Sequence, residues 1–270
     1  MTNFICNTCG VQYDATKEEP KLCIICSDDR QYVPSSGQEW TRLEDYLKEP
    51  YMNEITKLEE NLYSIQTKPQ IAIGQRAYLV RTPEGNVLWD CITYLDSRTI
   101  EAINDLGGIQ AIALSHPHYY STVVEWADVF GCPVYIHQSD QQWITRQSPR
   151  YHLWDGEESV LMPDITLINT GGHFKGSSVL HWKKGSKSDG TLLVGDTIFI
   201  VPDPGWVSFM YSHPNRIPLP VHEVKKIKQI LEKYEFTSIY GAFESRIEKD
   251  GKSSVIKSAD RYIYHLERGN

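Results

Sequence analysis

Four cysteines near the start of the chain and a scattered set of histidines carry the richest chemistry in this sequence. Cys6 and Cys9 form one CxxC pair and Cys23 and Cys26 a second, with 13 residues between the pairs. Each pair can fold as a tight turn with its sulfurs inward, and Gly10 relieves the backbone after Cys9, so four thiolates can meet one tetrahedral ion. Further along, "ALSHPHYYSTVVEWA" halts an apolar run at His116 and His118. These two alternate around Pro117, so both rings can approach one point from a strand end. His173 arrives on the glycine loop "TGGHFKGS", and Asp196 follows the apolar run "TLLVG". Three histidines and a carboxylate suit zinc or iron, with a position left open for water or substrate. Each of the four alone also has an ordinary reading, as a loop histidine, a turn cap or a strand-end cap.

The elements that must position these groups are legible from periodicity and turn residues. "VPSSGQEW" is a turn-rich joint that ends a first unit over residues 1–36, and "QEWTRLEDYLK" opens a helical connector over 37–58. The rest of the chain, 59–270, reads as one domain. It starts with strands in "NLYSIQT", "RAYLVRT" and "NVLWD", the last two joined by a "PEG" hairpin turn. "DSRTIEAINDLGG" has an aspartate cap and closing glycines, the bounds of a helix. "IQAIAL" is then a buried strand leading to the histidine pair, "YSTVVEWADVFG" a helix and "CPVYIH" a strand. "ITLINTGGH", "SSVLHWKK" and "TLLVGDTIFI" read as further strands. Val221, Val224, Ile227, Leu231 and Tyr234 recur at helical spacing, "TSIYGAF" is a last strand, and a final amphipathic helix runs from about Ser254 to Leu266.

Composition limits the partners. With 270 residues and 40% hydrophobic content the chain can bury one large core, so a unit of about 35 residues needs a metal to hold it. Twenty-seven basic and 35 acidic residues give a net charge of -8, which opposes nonspecific binding to nucleic acid. No stretch of about 18 apolar residues offers a membrane span, and the amino terminus lacks the pattern of a secretory signal. The expectation is a cytoplasmic protein, where paired CxxC motifs are metal ligands rather than disulfides. Cys91 and Cys132, in apolar surroundings, are expected to be small buried hydrophobes.

Taken in order, these motifs resemble the metallo-β-lactamase superfamily. Its HxHxDH motif aligns with "HPHYYS", its glycine-histidine loop with "TGGHFKGS" and its strand-end aspartate with "LLVGDT". The resemblance implies an α+β fold, the αββα sandwich of two sheets packed face to face with helices outside, and makes His116, His118, His173 and Asp196 ligands of zinc or iron. It also exposes departures. Where the family has an Asp and a His for a second ion, this chain has Tyr120 and Ser121, and its last ligand histidine falls on Ala242. These departures imply a single-metal pocket or one that has lost hydrolytic power; in the first case Asp196 belongs to the catalytic group beside the ion and Tyr120 is a phenolic proton donor in place of the lost aspartate. Lys175, His213 and Arg246 are the groups that would hold substrate. His137, ending its strand, reads as a satisfied strand-end residue, with a turn toward the pocket as the alternative.

The amino-terminal segment "CNTCGVQYD" is similar to the first half of a rubredoxin, although "CIICSDD" lacks the glycine usual after the second pair. A zinc ribbon with a structural zinc is the preferred resemblance and rubredoxin-like iron the alternative. Together these features predict a metal-dependent hydrolase acting on a small ester, thioester or lactone. The alternatives are a metal- or small-molecule-binding protein whose ribbon contacts a protein partner, and a redox protein with ribbon iron.

Overall fold

A computed structural model describes residues 1–185 and 189–268. The chain divides into two compact units, Met1–Ile136 with Asp140–Leu153, and His137–Ser139 with the chain from Trp154 onward.

The first unit is built on a seven-stranded sheet. In spatial order its strands are Met52–Glu59, Leu62–Lys68, Ala77–Thr82, Gly85–Trp89, Ala111–Ala113, Val134–His137 and Tyr151–Trp154. The first four form an antiparallel meander; Ala111–Ala113 then pairs in parallel with Gly85–Trp89, and Val134–His137 in parallel with Ala111–Ala113. Parallel neighbours need crossovers, supplied by the helices Ser97–Asp105 and Val123–Phe130. Asp96 caps the first as expected, its carboxylate accepting the Thr99 N–H at 2.8 Å. Ile112, Ala113, Leu88 and Val134 are fully buried, which explains why "IQAIAL" shows no alternation. The histidine pair follows at the carboxyl end of a central parallel strand, where open α/β sheets place chemistry.

The segment expected to be a helical connector differs. Only Leu43–Tyr46 is helical, a single turn with no buried residue, and Met52–Glu59 is the edge strand of the sheet. Its alternating burial is that of a half-covered strand, and the exposed Glu54 and Lys57, with the polar Asn53 on its covered side, obscured that pattern in the sequence.

The second unit carries a six-stranded sheet in the order Glu158–Met162, Ile165–Asn169, Ser178–Trp182, Thr191–Leu193, Ser238–Tyr240 and Arg246–Ile247. The helices Val221–Leu231 and Gly251–Glu267 bury Val224, Ile227, Leu231, Val255 and Ala259 in a cluster with Leu192, Val194 and Ile239 of the sheet. That burial is the source of the 3.6-residue periodicity in both helices.

His181, in the strand Ser178–Trp182, donates to the Glu235 carbonyl at 2.8 Å, and burial lowers its pKa from the ordinary 6.5. The unfolded chain therefore takes up the proton first. Stability is fullest above the unfolded pKa of about 6.5 and is lost as pH falls. His181→Gln is expected to flatten the acid limb of urea midpoint against pH; an unaltered acid limb would rule out this origin.

Candidate metal centres

The four amino-terminal cysteines are free thiols, and all are buried. Their first knuckle closes with the Gly10 N–H on the Cys6 carbonyl at 2.8 Å, and the second with the Ser27 N–H on the Cys23 carbonyl at 2.9 Å. The Sγ atoms of Cys6 and Cys26 are 3.6 Å apart, as are those of Cys9 and Cys23. A tetrahedron of sulfurs at a metal–sulfur distance of about 2.3 Å has edges of about 3.8 Å, whereas a disulfide would place them at about 2.0 Å. The residues fit an ion. Contacts with Cys23 pull the Cys6 thiol well below its ordinary range and push Cys9 and Cys26 above it, so ionising all four together would need a cation to offset their repulsion. The ribbon reaches past residue 36: Trp40–Thr41 pairs with Ile5–Cys6, and the Gln38 amide donates to Cys6 Sγ at 3.2 Å.

In the first unit the strand Ala111–Ala113 runs into His116 and a 3-10 turn, Pro117–Tyr119, with Pro117 at its first position. The His116 and His118 rings meet edge to face, centroids 4.9 Å apart, and both residues are buried. His116 Nδ1 lies 2.8 Å from Ser115 Oγ, a contact that orients the ring. The His118 carbonyl accepts from the Gln75 amide at 3.2 Å. Asp90 anchors the start of this loop: its Oδ1 accepts the Ser115 N–H at 2.7 Å, and its own N–H donates to the Ala113 carbonyl at 2.8 Å. Sequence reasoning passed over Asp90 and Gln75. The signal for Asp90 was an aspartate closing the apolar strand "NVLWD", the same pattern that singled out Asp196.

In the second unit His173 is fully buried on the loop after Ile165–Asn169. Gly172 precedes it at φ +83, and a Cβ there would lie 3.0 Å from Leu219 Cδ1 and 3.1 Å from Ile227 Cδ1, so glycine lets the loop pack onto the helix Val221–Leu231. His173 Nδ1 lies 3.2 Å from the Met210 carbonyl, which directs Nε2 to Asp196, whose Oδ2 is 3.9 Å away. His213 Nε2 is 3.0 Å from the Asp196 carbonyl, with its ring near those of His173 and Phe199. The four buried cysteines thus form one potential metal-binding group, and each unit brings buried ligand types of its own, His116 and His118 in the first and His173 and Asp196 in the second.

The remaining sequence-derived candidates fall in varied settings. Tyr120 is buried, its hydroxyl donates to the Asp140 carbonyl at 3.2 Å, and burial raises the phenol well above its ordinary pKa. Ser121 Oγ donates to the Cys91 carbonyl at 3.1 Å, and Ala242 is buried. Lys175 is exposed, and Arg246 pairs with Glu248 at 2.8 Å. His137 has both ring nitrogens engaged, Nε2 with the Gly156 carbonyl and Nδ1 with the Ser139 N–H, each at 3.2 Å, as expected of a satisfied strand end. Cys91 and Cys132 are buried, and desolvation raises their thiols, Cys132 to about 11.

Comparison with known proteins adds to this geometry. The family model described as the metallo-beta-lactamase superfamily matches residues 72–233. A Bacillus subtilis (strain 168) protein described as uncharacterized protein YmaE is 52% identical over 267 residues, covering 98% of this chain and 97% of that one. The crystal structure of the DIM-1 metallo-β-lactamase superposes with a TM-score of 0.59 at 16% identity, covering 77% of this chain and 97% of the other. FIM-1 from Pseudomonas aeruginosa, in its mono-zinc form, gives 0.58 at 13% identity, with 77% and 95% covered. At such identities the structural likeness is one of fold. The family model starts beyond the cysteines, whereas the match to YmaE runs through them.

Proposed function

Because this chain belongs to the metallo-β-lactamase superfamily, we propose that His116, His118, His173 and Asp196 hold one zinc or iron ion and that the protein hydrolyses a small ester, thioester or lactone. The observation that carries the reading is that each unit presents two buried ligands at a loop or strand end, His116 with His118 in the first and His173 with Asp196 in the second. Ligand type agrees with it, since imidazole and carboxylate suit zinc and iron. When bound, such an ion polarises a substrate oxygen and acidifies water. Ser115 and the Met210 carbonyl fix the ring orientations of His116 and His173. Asp196 supplies the anionic ligand and the carboxylate of the catalytic group, and His213 holds its main chain. His213, with Lys175 and Arg246 as cations, is assigned to substrate; Arg246 must leave Glu248 to serve. Tyr120 is assigned as the phenolic proton donor in place of the lost aspartate, and its hydroxyl must leave the Asp140 carbonyl to serve. The cysteines are assigned a structural zinc.

Activity against a panel of thioesters, esters and lactones should disappear on chelation and return with zinc or iron. Turnover that survives removal of the ion would end this reading. Inactivity across the panel with the ion bound would leave a metal-binding protein without turnover.

The departures from the superfamily motif at Tyr120, Ser121 and Ala242 give a further expectation. The triple change Tyr120→Asp, Ser121→His and Ala242→His restores the superfamily pattern at the aligned positions. In a folded variant, metal analysis should show about one more ion per chain than wild type, since the new ligands with Asp196 complete a four-ligand set. A wild-type pocket that already holds two ions would contradict it.

A further inference from the structure

The cysteine ribbon and the histidine loop both belong to the first unit, and the main chain joins them. The segment that leaves the first knuckle, Gly10 to Asp14, lies against three parts of that unit. Thr93 Oγ1 donates to the Gly10 carbonyl at 3.2 Å. The Gln12 N–H donates to the Ser121 carbonyl at 3.0 Å, and the Gln12 carbonyl accepts from Thr145 Oγ1 at 2.7 Å. The Asp14 N–H donates to the Thr145 carbonyl at 2.9 Å. Gln12 is 3% exposed, and its side chain is bonded to Arg146 and Glu125, which pair with each other.

Ser121 is the unusual partner in this set. It lies three residues beyond His118 at φ 39, a left-handed conformation that costs a side-chain-bearing residue on the order of 1 kcal/mol and persists only where its surroundings enforce it. Two bonds enforce it: its hydroxyl on the Cys91 carbonyl, from the sheet side, and its carbonyl on Gln12, from the ribbon. The approach is close as well. A Cβ on Gly10, which sits at φ +80, would lie 2.2 Å from Thr93 Oγ1, so the knuckle seats only with glycine there.

We propose that Gln12 is a positioning residue, through which the ion held by Cys6, Cys9, Cys23 and Cys26 fixes the main chain at Ser121 and hence the turn that carries His116 and His118. The two knuckles define the path of residues 10–14 only while their sulfurs share an ion, because the ribbon's own buried core is small, with Phe4, Ile5, Val11 and Ile25 its main apolar members. Loss of that ion frees the Gln12 N–H from Ser121, and Ser121 loses one of the two bonds that enforce its backbone just beyond the 3-10 turn. The ribbon thereby acts on the histidine pair without touching it.

Two readouts on the full-length protein test this, and the second rests on the pocket reading above. The first is amide exchange at Tyr119, Tyr120 and Val123, whose N–H groups close the turn onto His116, Pro117 and Tyr120. Cys23→Ser and Gly10→Ala should both accelerate it by about tenfold or more, while the strand Ser178–Trp182 of the other unit exchanges as in wild type. Gly10→Ala keeps all four cysteines, so it separates seating of the ribbon from ion binding. The second readout is cobalt affinity of the histidine pocket, followed by its visible spectrum. In Gly10→Ala it should weaken by about 10- to 100-fold, the range for loss of an outer support. Thr93→Ala in that background removes the clashing oxygen and should recover part of the loss, a rescue that general destabilisation would not produce. Unchanged exchange at residues 119–123 after the cysteines have lost their ion would overturn the proposal, as would a Gly10→Ala protein with wild-type exchange. Failure of the wild-type pocket to take cobalt would overturn the pocket reading instead, and the exchange arm would still decide this one.

Discussion

His173→Ala is expected to empty the histidine pocket and abolish metal-dependent hydrolysis. Loss of an outer partner costs about 10- to 100-fold in affinity or activity, and removal of a ligand itself should exceed that range. The ring is fully buried and its Nδ1 satisfies the Met210 carbonyl, so the variant also leaves a void and an unpaired acceptor. A stability loss of about 2–4 kcal/mol follows from the two effects together. The two consequences separate experimentally. Thermal unfolding reports the void, and metal analysis of the folded variant reports the ligand. Full activity in the folded variant would remove His173 from the metal centre.

Cys23→Ser should release the ribbon ion and loosen residues 1–41 while the two sheets persist. Structural zinc in small cysteine-rich units contributes apparent binding energies of roughly 10–16 kcal/mol, far more than a few buried apolar side chains can replace. Cys23 also organises its turn: its carbonyl accepts the Ser27 N–H, and its N–H donates to the Gln38 side chain at 3.1 Å. Those bonds survive the change to serine, so the expected loosening traces to the ion and not to the turn. Limited proteolysis should cleave within the first 41 residues of the variant and leave the remainder resistant. A variant that keeps its full metal content and resists the protease would show that four cysteines do not form one site.

Much of this was legible in the sequence because it followed local rules. The CxxC spacing defined the ribbon ligands, the aspartate at position 96 defined a helix start, and apolar runs ending at His116 and Asp196 marked strand ends. The edge strand Met52–Glu59 was hidden because its outer face is charged and its burial depends on Leu62–Lys68 pairing with it. Tyr120 shows a different limit. Its place in the motif points to a proton donor, and the Asp140 carbonyl that receives its hydroxyl lies twenty residues on, a partner no spacing rule reports. Gln12 was illegible for the same reason: its importance lies in main-chain bonds to residues more than a hundred positions away.

The proposed function needs two ions of distinct chemistry, one on the four cysteines and one shared by His116, His118, His173 and Asp196. Metal content per chain, measured on wild type, Cys23→Ser and His173→Ala side by side, tests this most directly. The account predicts two ions in the wild type, one retained by each variant, with zinc on the cysteines and zinc or iron on the histidines. A His173→Ala protein that still carries both ions, or a wild type with none outside the cysteines, would contradict it.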